Sequence, residues 1–76
     1  MKYIRFEYAG FVIFEEDQKH SDIALKFPND TILSAGFVKI AFEEDQIGVY
    51  GESASLSKAC NPDDGKALYH KLSYGY

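Results

Sequence analysis

A single cysteine, Cys60, leaves this chain without the means for an internal disulfide. The fold is therefore expected to hold without covalent staples, and a lone thiol suits a reducing, cytosolic setting. Basic residues are also scarce: 8 Lys and Arg stand against 12 Asp and Glu, for a formal net charge of −4. Phosphate backbones are gripped by clustered Lys and Arg, so direct nucleic-acid binding is disfavoured. No apolar run is long enough to span a bilayer. The opening Met1-Lys2-Tyr3-Ile4-Arg5-Phe6-Glu7 puts charges where a signal peptide needs apolar residues. The 2 His and 1 Cys show no zinc-ligand spacing. The expectation is a cytoplasmic protein with no cofactor, no metal and no membrane contact.

The 76 residues suffice for one domain, 1–76. A chain of this length buries only roughly 60–65% of its unfolded surface, so its stability margin is thin. Aromatic residues, 6 Phe and 6 Tyr, offer compensation because each buries a large area. Dimerisation is another common compensation.

The chain is organised around Ser34 to Leu56. Val38, Ile40 and Phe42 share one parity and Phe37, Lys39 and Ala41 the other, as on a strand with one apolar face. Glu43 to Gln46 reverse the chain, and Ile47, Val49, Tyr50 and Leu56 furnish a return strand. Upstream, Ile4, Phe6 and Tyr8 alternate with Arg5 and Glu7 as a half-buried strand.

The segment Ala9-Gly10-Phe11-Val12-Ile13-Phe14-Glu15-Glu16-Asp17-Gln18 nearly recurs from Ala35 to Gln46, with two additional residues before the second Phe. An even insertion preserves parity, so Val12 and Phe14 are expected on the same face as Val38 and Phe42. Two explanations fit: a duplicated unit with equivalent acidic loops, or similar strands ending in similar solvated loops. By analogy with Gly36, which sits inside a strand-like run, Tyr3 to Phe14 reads as one long strand bent at Gly10, with a tight turn there as the alternative.

Between the copies, Ser21 or Asp22 can cap a short helix that Pro28 stops, with Ile23 and Phe27 on one face. Asn29-Asp30 makes the turn into the central strand. Near the end, Asn61 as N-cap, Pro62 in the first turn and Asp63-Asp64 at the positive end of the dipole mark a helix start. Ala67, Leu68 and Leu72 fall on one stripe that can cover a sheet. The fold class is α+β, in the order β-α-β-β-α: a small three- to four-stranded, mainly antiparallel sheet with the C-terminal helix on one face.

Candidate chemistry is thin. Cys60 and His70 could pair as nucleophile and base, with Asp63 or Asp64 orienting. Two helical turns separate them, roughly 12–15 Å by helix rise, which is too far for a hydrogen bond. His20 reads as a surface residue in a polar loop. The acidic runs at 15–17 and 43–45 could share a cation only if adjacent, and neither has the glycine of a tight calcium loop. Gly10-Phe11-Val12-Ile13-Phe14 and Gly36-Phe37-Val38 echo part of the RNA-recognition-motif octamer. In register, its basic and base-stacking places hold Glu7, Tyr8 and Ala9, so the resemblance covers strand residues alone.

Protein binding remains. Tyr3, Tyr50, Tyr69, Tyr74 and Tyr76 are candidates for partial exposure, and tyrosine is enriched in interface hot spots. Acidic loops beside tyrosines suit a basic partner through charge steering. The expected site is Glu15, Glu16, Asp17, Glu43, Glu44, Asp45, Tyr50, Tyr74 and Tyr76, with no catalytic residue. In size and charge the chain is similar to small inhibitors from phages and mobile elements, such as anti-CRISPR and immunity proteins. A homodimer pairing through a sheet edge is the second expectation.

Overall fold

Residues 1–41 and 46–74 are described in the computed structural model. Strands β1 (Lys2–Phe6), β2 (Gly10–Phe14), β3 (Ile32–Ala41) and β4 (Gln46–Tyr50) form one sheet in the order β2-β1-β3-β4. Every pairing in it is antiparallel. Helices α1 (His20–Ala24) and α2 (Asp64–Tyr74) follow β2 and end the chain respectively. A two-stranded ribbon of β5 (Glu52–Ser53) and β6 (Lys58–Ala59) precedes α2. The α+β class, the antiparallel sheet and the packed C-terminal helix agree with the expectation.

The first segment does not. Tyr3 to Phe14 is a hairpin, not one bent strand: Phe6 pairs with Gly10, and Gly10 has a φ of +77°. That left-handed backbone suits glycine and closes the turn. Asp30 clasps the turn from outside, accepting the N–H of Tyr8 at 3.0 Å and of Ala9 at 2.9 Å. It also accepts the N–H of Thr31 at 2.8 Å. Tyr8 therefore belongs to the turn and is exposed.

β1 is the central element, and both of its faces are buried. Ile4 and Phe6 join Phe14, Ile23 and Ala35 in one core, under α1. Tyr3 points the other way, into a second core with Val38 and Leu68 under α2. Two thin cores on opposite faces of one strand answer the surface-to-volume problem of so short a chain. Strand alternation alone marks only one of them, and the fully buried Tyr3 corrects the expectation of partial exposure.

The repeated segment lies on β2 and β3, the two neighbours of β1, but in different registers. Gly10 stands opposite Phe6, whereas Gly36 stands opposite Tyr3. The offset is odd, so equivalent residues face opposite ways: Val12 packs against the Ile4 core and Val38 lies in the Tyr3 core. The expected common face for Val12 and Val38 is thus wrong, and the copies are not structural equivalents. Phe42 lies outside the described residues.

A bulge on β3 helps to set this geometry. Arg5 pairs with Ser34 and Phe6 with Ile32, which leaves Leu33 as the additional residue. In an unbroken strand Ile32 and Ser34 would share a face. The bulge lets Ile32 enter the α1-side core while Ser34 turns to the α2 side.

β4 ends at Tyr50, and Gly51, at φ +74°, turns the chain into the β5–β6 ribbon. Leu56 lies in that ribbon's turn and packs on the α1-side core, so it is not part of the return strand expected for it. At α2, Asn61 behaves as the expected cap: its Oδ1 accepts the Asp63 N–H at 3.0 Å. Asp64 reaches back to the Asn61 N–H at 3.3 Å, completing a reciprocal cap. Leu68 is buried, while Leu72, expected on the same stripe, is 47% exposed.

Candidate functional site

Glu15, Glu16 and Asp17 follow β2, and all three are exposed. Glu16 receives the Met1 ammonium at 3.3 Å, and Lys2 Nζ donates to the Gln18 carbonyl at 2.7 Å. β2 and β3 both run antiparallel to β1. Glu15 therefore leaves the sheet at the same end as Ala41, the last residue of β3. Glu43, Glu44 and Asp45 lie outside the described residues.

One row of residues crosses the sheet from the end of β2: Phe14, Lys2, Phe37 and Tyr50 are successive cross-strand partners. Tyr50 stacks on Phe37 with ring centroids 5.5 Å apart and is about half exposed. Three strand spacings place it roughly 14 Å from Phe14. Glu15–Asp17 and Tyr50 thus lie at opposite edges of one cross-strand row, which meets β3 midway along its length. Tyr74 is the last described residue of α2, and Tyr76 lies outside the described residues.

His20 locks this row. It is buried, not in a surface loop, and stands edge-on to Phe14 at 5.3 Å and to Phe37 at 5.8 Å. Its Nε2 donates to the Gly36 carbonyl at 2.9 Å. α1 begins one residue before the expected caps: Lys19 takes the N-cap position, with no side-chain cap bond. Packing of His20 and Ile23 replaces capping as the reason for this short helix.

A buried polar cluster among the described residues was not legible from sequence. Asp64, fully buried at the start of α2, accepts the Tyr3 hydroxyl at 2.6 Å, the Ser34 hydroxyl at 2.5 Å and Arg5 Nη1 at 2.9 Å. Burial pushes its carboxyl up, but the bonds from Ser34, Tyr3, Arg5 and the Asn61 N–H outweigh that and hold it below the usual carboxylate value. Burial, with the Asp64 carboxylate beside it, pushes the Tyr3 hydroxyl well above its ordinary range. Arg5 also lies over the Phe11 ring at 4.9 Å. Tyr3 and Arg5 share a face of β1, and Ser34 is brought to it by the bulge. The partners lie 30 to 61 positions from Asp64, and no local pattern announces such a set. Its donors and acceptors satisfy one another, so the cluster clasps the first strand to the C-terminal helix.

Cys60 is a half-buried free thiol packed against the Tyr3 core, and His70 is exposed on α2. Among the described residues, no group of three His, Cys, Asp or Glu side chains is placed to hold a metal. No helix among them is long and apolar enough to cross a membrane. No protein-family model, curated protein or solved structure matches the chain.

Proposed function

We propose that this protein is a non-enzymatic protein-binding module, an inhibitor or regulator that docks on a basic partner surface in the cytoplasm. The observation that carries the reading is the exposed run Glu15–Asp17 after β2, in line with a cross-strand row that reaches the surface at Tyr50 on the opposite edge. Carboxylates clear of the core steer a basic partner, and a half-exposed tyrosine stacked on Phe37 supplies a rigid apolar contact. Anti-CRISPR and immunity proteins illustrate the type, by size and charge alone.

Affinity capture from the native cell extract, at low and high salt, tests this with the parent and the Glu15→Lys/Glu16→Lys/Asp17→Lys variant. A partner held by the parent, released by salt and lost from the variant is the expected result. Capture that ignores both salt and charge reversal sinks the reading.

A second reading, a homodimer joined through a sheet edge, is favoured by the outer positions of β2 and β4. A monomeric mass, with melting midpoints independent of protein concentration, removes it.

A further inference from the structure

Among the described residues, no strand pairs with the outer edge of β2. The Val38 N–H donates to the Met1 carbonyl at 2.7 Å, and the Met1 ammonium returns a bond to the Val38 carbonyl at 3.4 Å. Further along, the Glu7 N–H donates to the Thr31 carbonyl at 2.9 Å. The odd-numbered residues of β1 thus turn their backbone groups toward β3. Alternation turns those of Lys2, Ile4 and Phe6 toward β2, where their partners are Phe14, Val12 and Gly10. Phe11 and Ile13 therefore direct their N–H and C=O groups outward, along the free edge.

A groove of about 410 Å³ runs beside that edge, between β2 and the α1 segment. Val12, Phe14, Ile23 and Phe27 make its apolar lining, with Lys26, Glu15 and the N-terminal Met1 also on it. It adjoins a depression of about 380 Å³ bounded by Met1, Glu15, Glu16 and Asp17. Phe27 packs on Phe6 at 4.6 Å, and Phe6 pairs with Gly10, so Lys26 lies toward the Gly10 end. Where β2 ends, the three carboxylates of Glu15, Glu16 and Asp17 outnumber the Met1 ammonium and Lys2, and Lys26 lies nearer the turn, where Asp30 is engaged by the Tyr8 and Ala9 N–H groups.

We infer that this edge and groove receive an extended segment of the partner protein as an added antiparallel strand, a step that rests on the docking reading above. Backbone bonds to Phe11 and Ile13 would hold it, and apolar side chains at alternate positions would enter the groove. Antiparallel pairing puts the segment's N-terminal end beside Glu15–Asp17 and its C-terminal end near Lys26. The segment therefore reads basic first, then apolar at every second position, then acidic. A second copy of this chain would bring another acidic run and lacks that order on β2, where the carboxylates follow the strand.

The test uses two blocked, labelled peptides with the full chain at low salt: Lys-Arg-Val-Thr-Val-Thr-Val-Glu and its reversed sequence. Fluorescence anisotropy should show the forward peptide binding about tenfold more tightly or better, as charge register dictates. N-methylation of the Ile13 amide, introduced by chemical synthesis, keeps the side chain and the β1–β2 ladder but removes an outward donor. It should weaken forward-peptide binding about tenfold or more while the melting midpoint holds. Equal binding by the N-methylated chain overturns strand addition. If Glu15→Lys/Glu16→Lys/Asp17→Lys still abolishes binding in that case, basic-partner docking survives and the strand geometry alone fails. Equal binding of the two peptides, no binding of either at millimolar concentration, or self-association that Ile13 N-methylation abolishes also overturns the inference.

Discussion

The Tyr3 hydroxyl donates to Asp64 Oδ2 at 2.6 Å across 61 positions of sequence, in a setting where both residues are fully buried. This bond ties the central strand to the helix that closes the second core. Asp64→Ala would leave the Tyr3 and Ser34 hydroxyls and the Arg5 guanidinium without their acceptor. The two buried hydroxyls would cost about 1–3 kcal/mol each when left unpaired, a large share of the roughly 5–15 kcal/mol that holds a typical domain, while Arg5, 35% exposed, can turn to water. Tyr3→Phe removes one bond to a charged acceptor and should cost about 1.5–3 kcal/mol. Urea midpoints check both, and a Tyr3→Phe midpoint equal to the parent's would falsify the clasp.

The same pair shapes stability at both ends of the pH scale. The folded carboxyl of Asp64 titrates below its ordinary value of 3.8. Its contribution is therefore complete well above that value and is lost as pH falls through the folded pKa. Tyr3 is displaced upward from 10.0, so its contribution is complete below pH 10 and is lost as pH rises through the folded pKa. Asp64→Asn should flatten the acid limb of a melting-temperature profile, and Tyr3→Phe the alkaline limb. Asp30 shares the acid limb: its slight desolvation raises its pKa, but the N–H bonds from Tyr8, Ala9 and Thr31 lower it overall. An unchanged acid slope in the Asp64→Asn/Asp30→Asn double variant would refute the assignment.

What was legible in the sequence follows from the range of the interactions. The strand through Phe37 to Ile40 and the Asn61-Pro62 start of α2 depend on neighbours a few positions apart and were readable, although Ile40, expected on the buried face with Val38, is 40% exposed. The second core was not, because Tyr3 is buried by Leu68 and Val38, which no periodicity links to it. His20 was misread for the same reason: its polar sequence neighbours say nothing of Phe14 and Phe37, which enclose it. The repeat misled because register, set here by the hairpin at Gly10 and the bulge at Leu33, decides the face. Of the residues proposed to dock, Glu15 to Asp17 and Tyr50 were named from sequence; the groove beside β2 depends on α1 folding back over that strand.

Gly10 and Gly36 occupy matching places in the repeat yet serve different needs. Gly10 adopts a φ of +77°, and Ala there should cost about 1–2 kcal/mol for left-handed backbone. At Gly36 the limit is space: an added Cβ would stand 2.7 Å from the Tyr50 carbonyl oxygen and 3.2 Å from the Cys60 Cβ. The close neighbours are the β4 end and the segment before α2, not the helix itself. Gly36→Ala should therefore cost on the order of 1–3 kcal/mol, as overpacking does, and Ala67→Gly should not restore it. Rescue by Ala67→Gly, read from denaturant midpoints, would place the contact wrongly.

Gly65 sets two effects of opposite sign against each other. It is the second residue of α2, where Ala is favoured over Gly by about 0.8–1 kcal/mol on helix propensity alone. An added Cβ, however, would meet the Ile47 carbonyl oxygen at 2.5 Å, far inside contact distance, and backbone gives way less easily than a side chain. Relieving that overlap means lifting the start of α2 off β4, which disturbs Asp64 beside it and loosens Leu68 in the second core. Strain of about 1–3 kcal/mol from overpacking, together with weakened bonds to Asp64, outweighs the propensity gain. Gly65→Ala should destabilise, against the usual direction for a helical glycine. Gly48→Ala is the matched control, because the nearest atom to its added Cβ is the Lys39 carbonyl oxygen at 3.9 Å. There the strand should gain about 0.5–1 kcal/mol from the reduced freedom of the unfolded chain. A Gly65→Ala protein that melts above the parent, as Gly48→Ala is expected to do, would mean that α2 is not seated on β4 through Gly65.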